Sequence, residues 1–291
     1  MTYVLTLIGK PLSAEQVARA RAALTDAAAP DWLGPGEAAE LTFSAPPPGA
    51  AEAAVRRALR GSAVDIVVQA AEGRRRKLLI ADMDSTIITV ECIDEMADML
   101  GIRDQVAAIT ARAMAGEIDF AEALARRVGM LRGLPLERLG QVYQQRVRLT
   151  PGARELVMTM RAHGALTALV SGGFSYFTER VAQAAGFELH VANRLGHLDG
   201  RLDGTVVAPI VDASSKLETL QRLSAQNGLR PAETLAVGDG ANDLPMLKAA
   251  GLGVAFHGKP AVTAAAAARV HHGDLTALLY LQGYRSVEFV R

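Results

Sequence analysis

The sequence predicts an α/β protein: a doubly wound parallel sheet with an inserted helical cap, preceded by a small α+β unit. Three observations carry this. Apolar runs recur at Leu78-Leu-Ile-Ala81, Leu166-Thr-Ala-Leu-Val170 and Leu235-Ala-Val237, and each turns polar or glycine-rich at its carboxyl end. Helical spacing of apolar residues fills the stretches between them. A shorter alternation of strand and helix patterns occupies residues 1–76. Strands apolar throughout belong in a parallel sheet covered on both faces, and ligands of such sheets lie beyond the carboxyl ends of the strands.

The elements follow in chain order. Residues 3–9 predict a strand, and 13–29 a helix with Ser13 as cap and Glu15 and Gln16 in its first turn. A short strand is expected near Trp32, another at Leu41-Thr-Phe43, a helix over 50–59 and a strand over 64–68. That order suggests a ferredoxin-like unit, with Pro46-Pro-Pro-Gly49 as a rigid turn. Gly73-Arg-Arg-Arg-Lys77 is expected to be a solvated linker, dividing the chain into 1–76 and 77–291.

After the first apolar run come residues 91–165, about 75 of them, with helical spacing at 93–100, 105–114, 120–131 and 136–147. That is far longer than an ordinary connection in such a sheet, so it predicts a helical cap inserted at about 90–150. Residues 195–204 are rich in turn formers and predict a hairpin extension. The alanine run 264–268 is expected to be a helix or a helix end.

Composition narrows the function. The chain of 291 residues is 50% hydrophobic and 21% charged, which suits a folded protein and not a disordered one. Thirty-one basic residues balance 31 acidic ones, so no global field draws nucleic acid or anionic lipid. Any anionic ligand must be held locally. A single cysteine, Cys92, makes no internal disulfide. With no basic-then-apolar leader and no run of about 18 apolar residues, a cytoplasmic protein with no membrane or nucleic-acid partner is expected.

Chemistry gathers at the strand ends. Asp82 and Asp84 lie two residues apart and, if strand geometry continued, would point to one side. Asp239 and Asp243 come from another strand end, where Gly238 and Gly240 permit a tight path. Acids converging this way repel unless a hard divalent cation such as Mg²⁺ joins them. Gly238-Asp-Gly-Ala-Asn-Asp243 lacks the third glycine of a dinucleotide fingerprint. Lys216 stands near a predicted helix start, where a bound anion would suit it, though position alone favours a surface lysine. Ser171-Gly172-Gly173 offers a hydroxyl and approachable N–H groups for a phosphate. His271-His272 has no partner ligands in sequence and is expected to be structural.

In their order, Asp82-Met-Asp-Ser-Thr86, Ser171-Gly-Gly173, Lys216 and Gly238-Asp-Gly-Ala-Asn-Asp243 resemble the four motifs of the haloacid dehalogenase superfamily of phosphohydrolases. With Glu91 and Val170-Ser-Gly-Gly-Phe174 the set resembles the phosphoserine phosphatases among them, over residues 78 to about 282. Residues 1–76 match only loosely a small regulatory (ACT-like) domain. The resemblance implies a Rossmann-like core and Mg²⁺-dependent hydrolysis of O-phospho-L-serine, the last step of serine synthesis.

It also implies roles. Asp82 would be the nucleophile and Asp84 the general acid and base. Magnesium would be held by Asp82, Asp239 and the Asp84 main-chain carbonyl, supported by Asp243. Lys216, Ser171, Gly172 and Asn242 would meet the phosphate, Glu91 the ammonium and Arg127 the carboxylate, with Phe120 as an apolar wall. Met83 departs from the phenylalanine common in the first motif and is expected to pack inward. Cys92 is expected to be buried packing. Another small phosphorylated metabolite as substrate, or an amino-acid sensor built on residues 1–76, are the competing readings. L-serine binding by residues 1–76 and pairing into a homodimer are left open.

Overall fold

The computed structural model describes residues 1–114 and 117–291. The first unit runs β1 (Tyr3–Ile8), α1 (Ala14–Ala22), β2 (Asp31–Gly34), β3 (Ala38–Phe43), α2 (Pro48–Ala58) and β4 (Asp65–Ala70). Its sheet has the order β2-β3-β1-β4 with every pairing antiparallel, which is the ferredoxin-like arrangement. Ser13 and Gln16 form a reciprocal capping box at the start of α1. The helix is shorter than the pattern predicts. The Asp26 carboxylate takes the N–H groups of Ser44 and Ala45, and the Ala28 N–H goes to the Thr42 carbonyl. Residues 24–29 are thereby tied alongside β3, and helix ends before them.

The second unit begins with β5 (Leu78–Ala81). Four helices follow: α3 (Cys92–Met99), α4 (Arg103–Met114), α5 (Phe120–Met130) and α6 (Leu136–Arg146). Then come α7 (Ala153–Ala162), β6 (Leu166–Phe174), α8 (Ser175–Ala185), β7 (Leu189–Leu198), β8 (Arg201–Val207) and α9 (Ala213–Gln226). The chain closes with β9 (Thr234–Gly238), α10 (Leu244–Ala249), β10 (Leu252–Phe256), α11 (Pro260–Ala265), β11 (Ala268–Val270) and α12 (Ala277–Leu281). The seven-stranded sheet has the order β11-β10-β9-β5-β6-β7-β8, parallel except for the last pair. Alternation along β5 explains its apolar run: Leu79 and Ala81 enter one core, Leu78 and Ile80 the other. The alanine run spans the end of α11 and the start of β11.

The predicted hairpin is β7-β8, and it reaches the cap. Leu202 exchanges backbone hydrogen bonds with Gly133 and Leu134, between α5 and α6. Among the described residues, no helix is long and apolar enough to cross a membrane.

The basic stretch 73–77 is only in part the solvated linker that its composition predicts: Gly73, Arg75 and Lys77 are exposed, but its basic side chains are all partnered. Arg74 forms a fork-shaped ion pair with the buried Glu40. Arg75 lies over the Tyr284 ring at 4.1 Å and pairs with Glu288 at 2.6 Å. Arg76 donates to the Ala232 carbonyl, and Lys77 pairs with Glu233 at 2.7 Å. The first unit also joins the larger core through Ile8, Leu33, Ala38 and Val67. The buried Asp65 carboxylate accepts the N–H groups of His271, His272 and Gly273 at 2.7, 3.0 and 2.8 Å, so the histidine pair serves through its main chain.

Candidate active site

The site is built at the carboxyl end of the sheet, where β5, the central strand, lies between β6 and β9. Asp82 follows β5 directly, and its Oδ1 accepts the Met83 N–H at 2.8 Å. The chain then leaves strand geometry in an irregular turn over Met83–Ile87, in which Asp84 is extended and Ser85 is left-handed at φ +56°. The two carboxylates therefore part, where a continuing strand would have pointed them together. Asp82 turns toward α9 and β9. Asp84 turns toward β6: its Oδ1 accepts the Cys92 N–H at 3.0 Å and its Oδ2 the Ser171 hydroxyl at 3.3 Å.

Lys216 joins two of these strand ends. Asp212 and Ser215 cap α9, which sets Lys216 in its first turn. The side chain is 1% exposed, with Nζ 2.7 Å from Asp82 Oδ1 and 2.6 Å from Asp243 Oδ1. Burial alone would lower its pKa; the Asp82 and Asp243 charges outweigh burial and hold the ammonium above the usual lysine range. The surface-lysine alternative is thereby excluded.

Asp239 and Asp243 come from the turn after β9. Asp243 reaches back to accept the Gly240 N–H at 3.0 Å. A Cβ at Gly238 would lie 2.3 Å from Asp243 Cγ, so only glycine leaves that carboxylate its place. Asp82, Asp239 and Asp243 each offer an oxygen, all within 4.8 Å of one another. Burial pushes the Asp243 carboxyl up to about 7, with the Asp82 charge adding to it, and burial also raises Asp239. Three buried carboxylates gathered side by side suit a hard divalent cation, which supplies the missing positive charge through oxygen ligands.

Asp84 is pushed up to about 7 as well, first by burial and then by the charge of Glu91. Glu91 itself is raised by burial, and its Oε1 accepts the Ser85 hydroxyl at 2.7 Å. The loop at the end of β6 is shaped around Asp84: a Cβ at Gly173 would stand 2.7 Å from Asp84 Oδ2. Gly173 donates its N–H to Ser171 Oγ at 2.9 Å.

Sequence comparison adds to this geometry. The sequence pattern of the haloacid dehalogenase-like hydrolases matches residues 76–251. The phosphoserine phosphatase of Albidiferax ferrireducens is 46% identical over 210 residues, 70% of this chain and 89% of that protein. The chain belongs to the phosphoserine phosphatase family of the haloacid dehalogenase-like hydrolases. The phosphoserine phosphatase of Archaeoglobus fulgidus is 45% identical over 213 residues, and that match spans 71% of this chain and 62% of the relative's length. Among solved structures, a haloacid dehalogenase family hydrolase from Salmonella enterica superposes with a TM-score of 0.86 at 30% identity, covering 96% of this chain and 98% of that one. A phospho-aspartyl intermediate analogue of phosphoserine phosphatase superposes with a TM-score of 0.66 at 36% identity, covering 71% of this chain and 98% of that one.

Against the phosphoserine phosphatase motifs, the cap residues fall as follows. Phe120, at the start of α5, brings its ring Cζ to 3.1 Å from where a Cβ on Gly172 would stand, so cap and β6 loop touch. Arg127 is half-buried on the same helix, its Nε donating to the Ala123 carbonyl at 3.2 Å and its Nη1 to Thr110 Oγ1 at 3.4 Å. Its neighbour Arg126 is exposed and paired with Glu122. Met83 and Cys92 are buried, and burial followed by the Asp84 charge raises the Cys92 thiol, which leaves it no thiolate character. Asn242 does not join the carboxylates: it is exposed and its amide oxygen folds back over Gly240.

Two contributors carried no motif. Asn193, in β7, is fully buried; its Nδ2 donates to the carbonyls of Gly172 and Val211 at 2.8 and 2.9 Å, and its Oδ1 accepts the Val211 N–H. It ties the β6 loop to the segment leading into α9. Lys259, in the turn after β10, stands 3.5 Å from Asp239 Oδ2. Its sequence signal was position alone, just past a fourth apolar strand, β10.

Proposed function

We propose that the chain hydrolyses O-phospho-L-serine to L-serine and phosphate in a Mg²⁺-dependent reaction through an aspartyl-phosphate on Asp82, the final step of serine biosynthesis. The observation that carries the reading is the buried Lys216 bridging Asp82 and Asp243, with Asp239 completing the oxygen cluster. Asp82 attacks phosphorus, and the bond from phosphorus to the seryl oxygen breaks. Asp84, whose carboxyl burial pushes up to about 7, gives its proton to that leaving oxygen. Asp84 then takes a proton from water; the water oxygen attacks phosphorus, and the bond to Asp82 breaks. Phosphate leaves and both aspartates are restored.

Asp82, Asp239 and the Asp84 carbonyl, with Asp243 in support, would hold the divalent ion, which when bound offsets the charge of the phosphoryl oxygens. Lys216, the Ser171 hydroxyl and the Gly172 N–H take the same oxygens, and Asn242 bounds the pocket edge. Glu91 receives the substrate ammonium. Arg127 takes the carboxylate through its fork, and Phe120 excludes water. Asp82 and Lys216 support the covalent step because they are already in contact. None of the site contacts comes from residues 1–76, so L-serine binding there and pairing into a homodimer are separate proposals.

The test is phosphate release from a panel of phosphate esters with and without Mg²⁺. Phosphoserine should dominate, only with Mg²⁺ present, and Asp82→Asn should abolish turnover and any label on the enzyme from ³²P substrate. A better substrate lacking an amino-acid moiety would overturn the substrate assignment, and label appearing elsewhere than Asp82 would overturn the mechanism.

A further inference from the structure

Among the described residues, two lysines are ion-paired to the carboxylate cluster, and they are held differently. Lys216 is buried and shared by two carboxylates. Lys259 has one partner, Asp239 Oδ2 at 3.5 Å, and its side chain is 55% exposed. Its main chain, by contrast, is fixed. The Lys259 N–H donates to the Asp239 carbonyl at 3.0 Å, and the Thr263 hydroxyl donates to the Gly258 carbonyl at 2.9 Å. A braced turn at the end of β10 thus carries a loose ammonium to the edge of the site.

Charge balance gives that ammonium a use. Asp82, Asp84, Glu91, Asp239 and Asp243 gather here, and Lys216 is already engaged. A divalent ion needs the Asp239 oxygens free. The contact with Lys259 is long for a charge-assisted hydrogen bond, and exposed pairs are worth about 0–1 kcal/mol, so it yields at little cost. Once released, the ammonium borders a pocket whose next occupant is a phosphate dianion, which an exposed lysine meets as a mobile point charge.

We propose that Lys259 is a positioning residue shared between Asp239 and the phosphate of the substrate: it holds the carboxylate while no divalent ion is bound and turns to the phosphate when one is. The inference rests on the phosphatase reading above. It demands opposite signs from one variant. Lys259→Met removes a positive charge, so Mg²⁺ should bind the substrate-free protein about threefold tighter. The KM for phosphoserine at saturating Mg²⁺ should rise about tenfold, with kcat changed less. Lys259→Arg should return both toward wild type.

Calorimetry of Mg²⁺ binding to the metal-stripped intact chain, with steady-state kinetics beside it, reads both. A residue that only braced its turn would, when replaced, weaken both ligands or neither. Either result, alongside normal Mg²⁺ binding and turnover by wild type, overturns the role of Lys259 alone. A wild-type chain that neither binds Mg²⁺ nor turns over phosphoserine overturns the phosphatase reading and this inference together.

Discussion

Asp84 Oδ2 lies 3.3 Å from Ser171 Oγ, while the other oxygen of the same carboxylate accepts the Cys92 N–H at 3.0 Å. One side chain thus ties the end of β6 to the base of the cap, through partners separate from those of Asp82. A proton donor and a nucleophile need this separation, because their tasks require opposite protonation.

Asp84→Asn keeps the size and an oxygen for the Cys92 N–H and removes the transferable proton. Turnover of phosphoserine should fall by about 10²–10⁴, the usual scale of general acid–base catalysis. Mg²⁺ affinity, read by calorimetry, should change far less. Wild-type turnover in this variant would remove Asp84 from the chemistry.

Arg127 tests substrate choice. Its guanidinium is half-buried on α5, facing the charges of Asp94 and Glu91. Arg127→Ala should raise KM for phosphoserine by about tenfold or more, the cost of losing a charge-assisted pair, and leave a phosphate ester without a carboxylate almost untouched. Equal effects on both substrates would show that the arginine serves the fold of the cap and not the ligand.

How far these positions were legible depends on the distance over which each is determined. Apolar runs ending in Asp82, Ser171 and Gly238 could be read because strand, strand end and motif are contiguous. The separate partners of Asp82 and Asp84 could not, since the strand geometry breaks off at Met83, between them. Asn193 carries no motif; its value lies in carbonyls some twenty residues away on either side. The linker misled for the same reason. A run of arginines reads as solvated until Glu40, Tyr284 and Ala232 are folded against it.

That linker yields a prediction about stability alone. Arg74 is the fork-shaped partner of buried Glu40, whose other hydrogen bond, from Thr6, is 3.1 Å long. Arg74→Ala leaves the carboxylate without its cation and should cost about 3 kcal/mol in chemical denaturation. KM for phosphoserine should stay as in wild type. A raised KM with unchanged stability would mean that the two units communicate through this pair.

The last prediction concerns pH and metal together. Asp84 and Asp243 have carboxyls pushed up to about 7, by burial before other charges, against an unfolded value near 4. Between those values the native state holds more protons than the unfolded one, so stability of the metal-free protein should decline as pH rises from about 4 to 7. Sites elsewhere titrate too, so the comparison is with Asp84→Asn, which cannot ionise: its metal-free stability should fall less over the same window. Mg²⁺ competes with the protons of the cluster and binds only the folded site, so its stabilisation should be larger at pH 8 than at pH 5. Thermal unfolding at both pH values, with Mg²⁺ and with chelator, reads all of this. An equal Mg²⁺ effect at the two pH values would mean that the carboxylates are not protonated in the ion-free site. The same slope in wild type and Asp84→Asn would mean that Asp84 is ionised throughout, and it could not then deliver a proton to the leaving group.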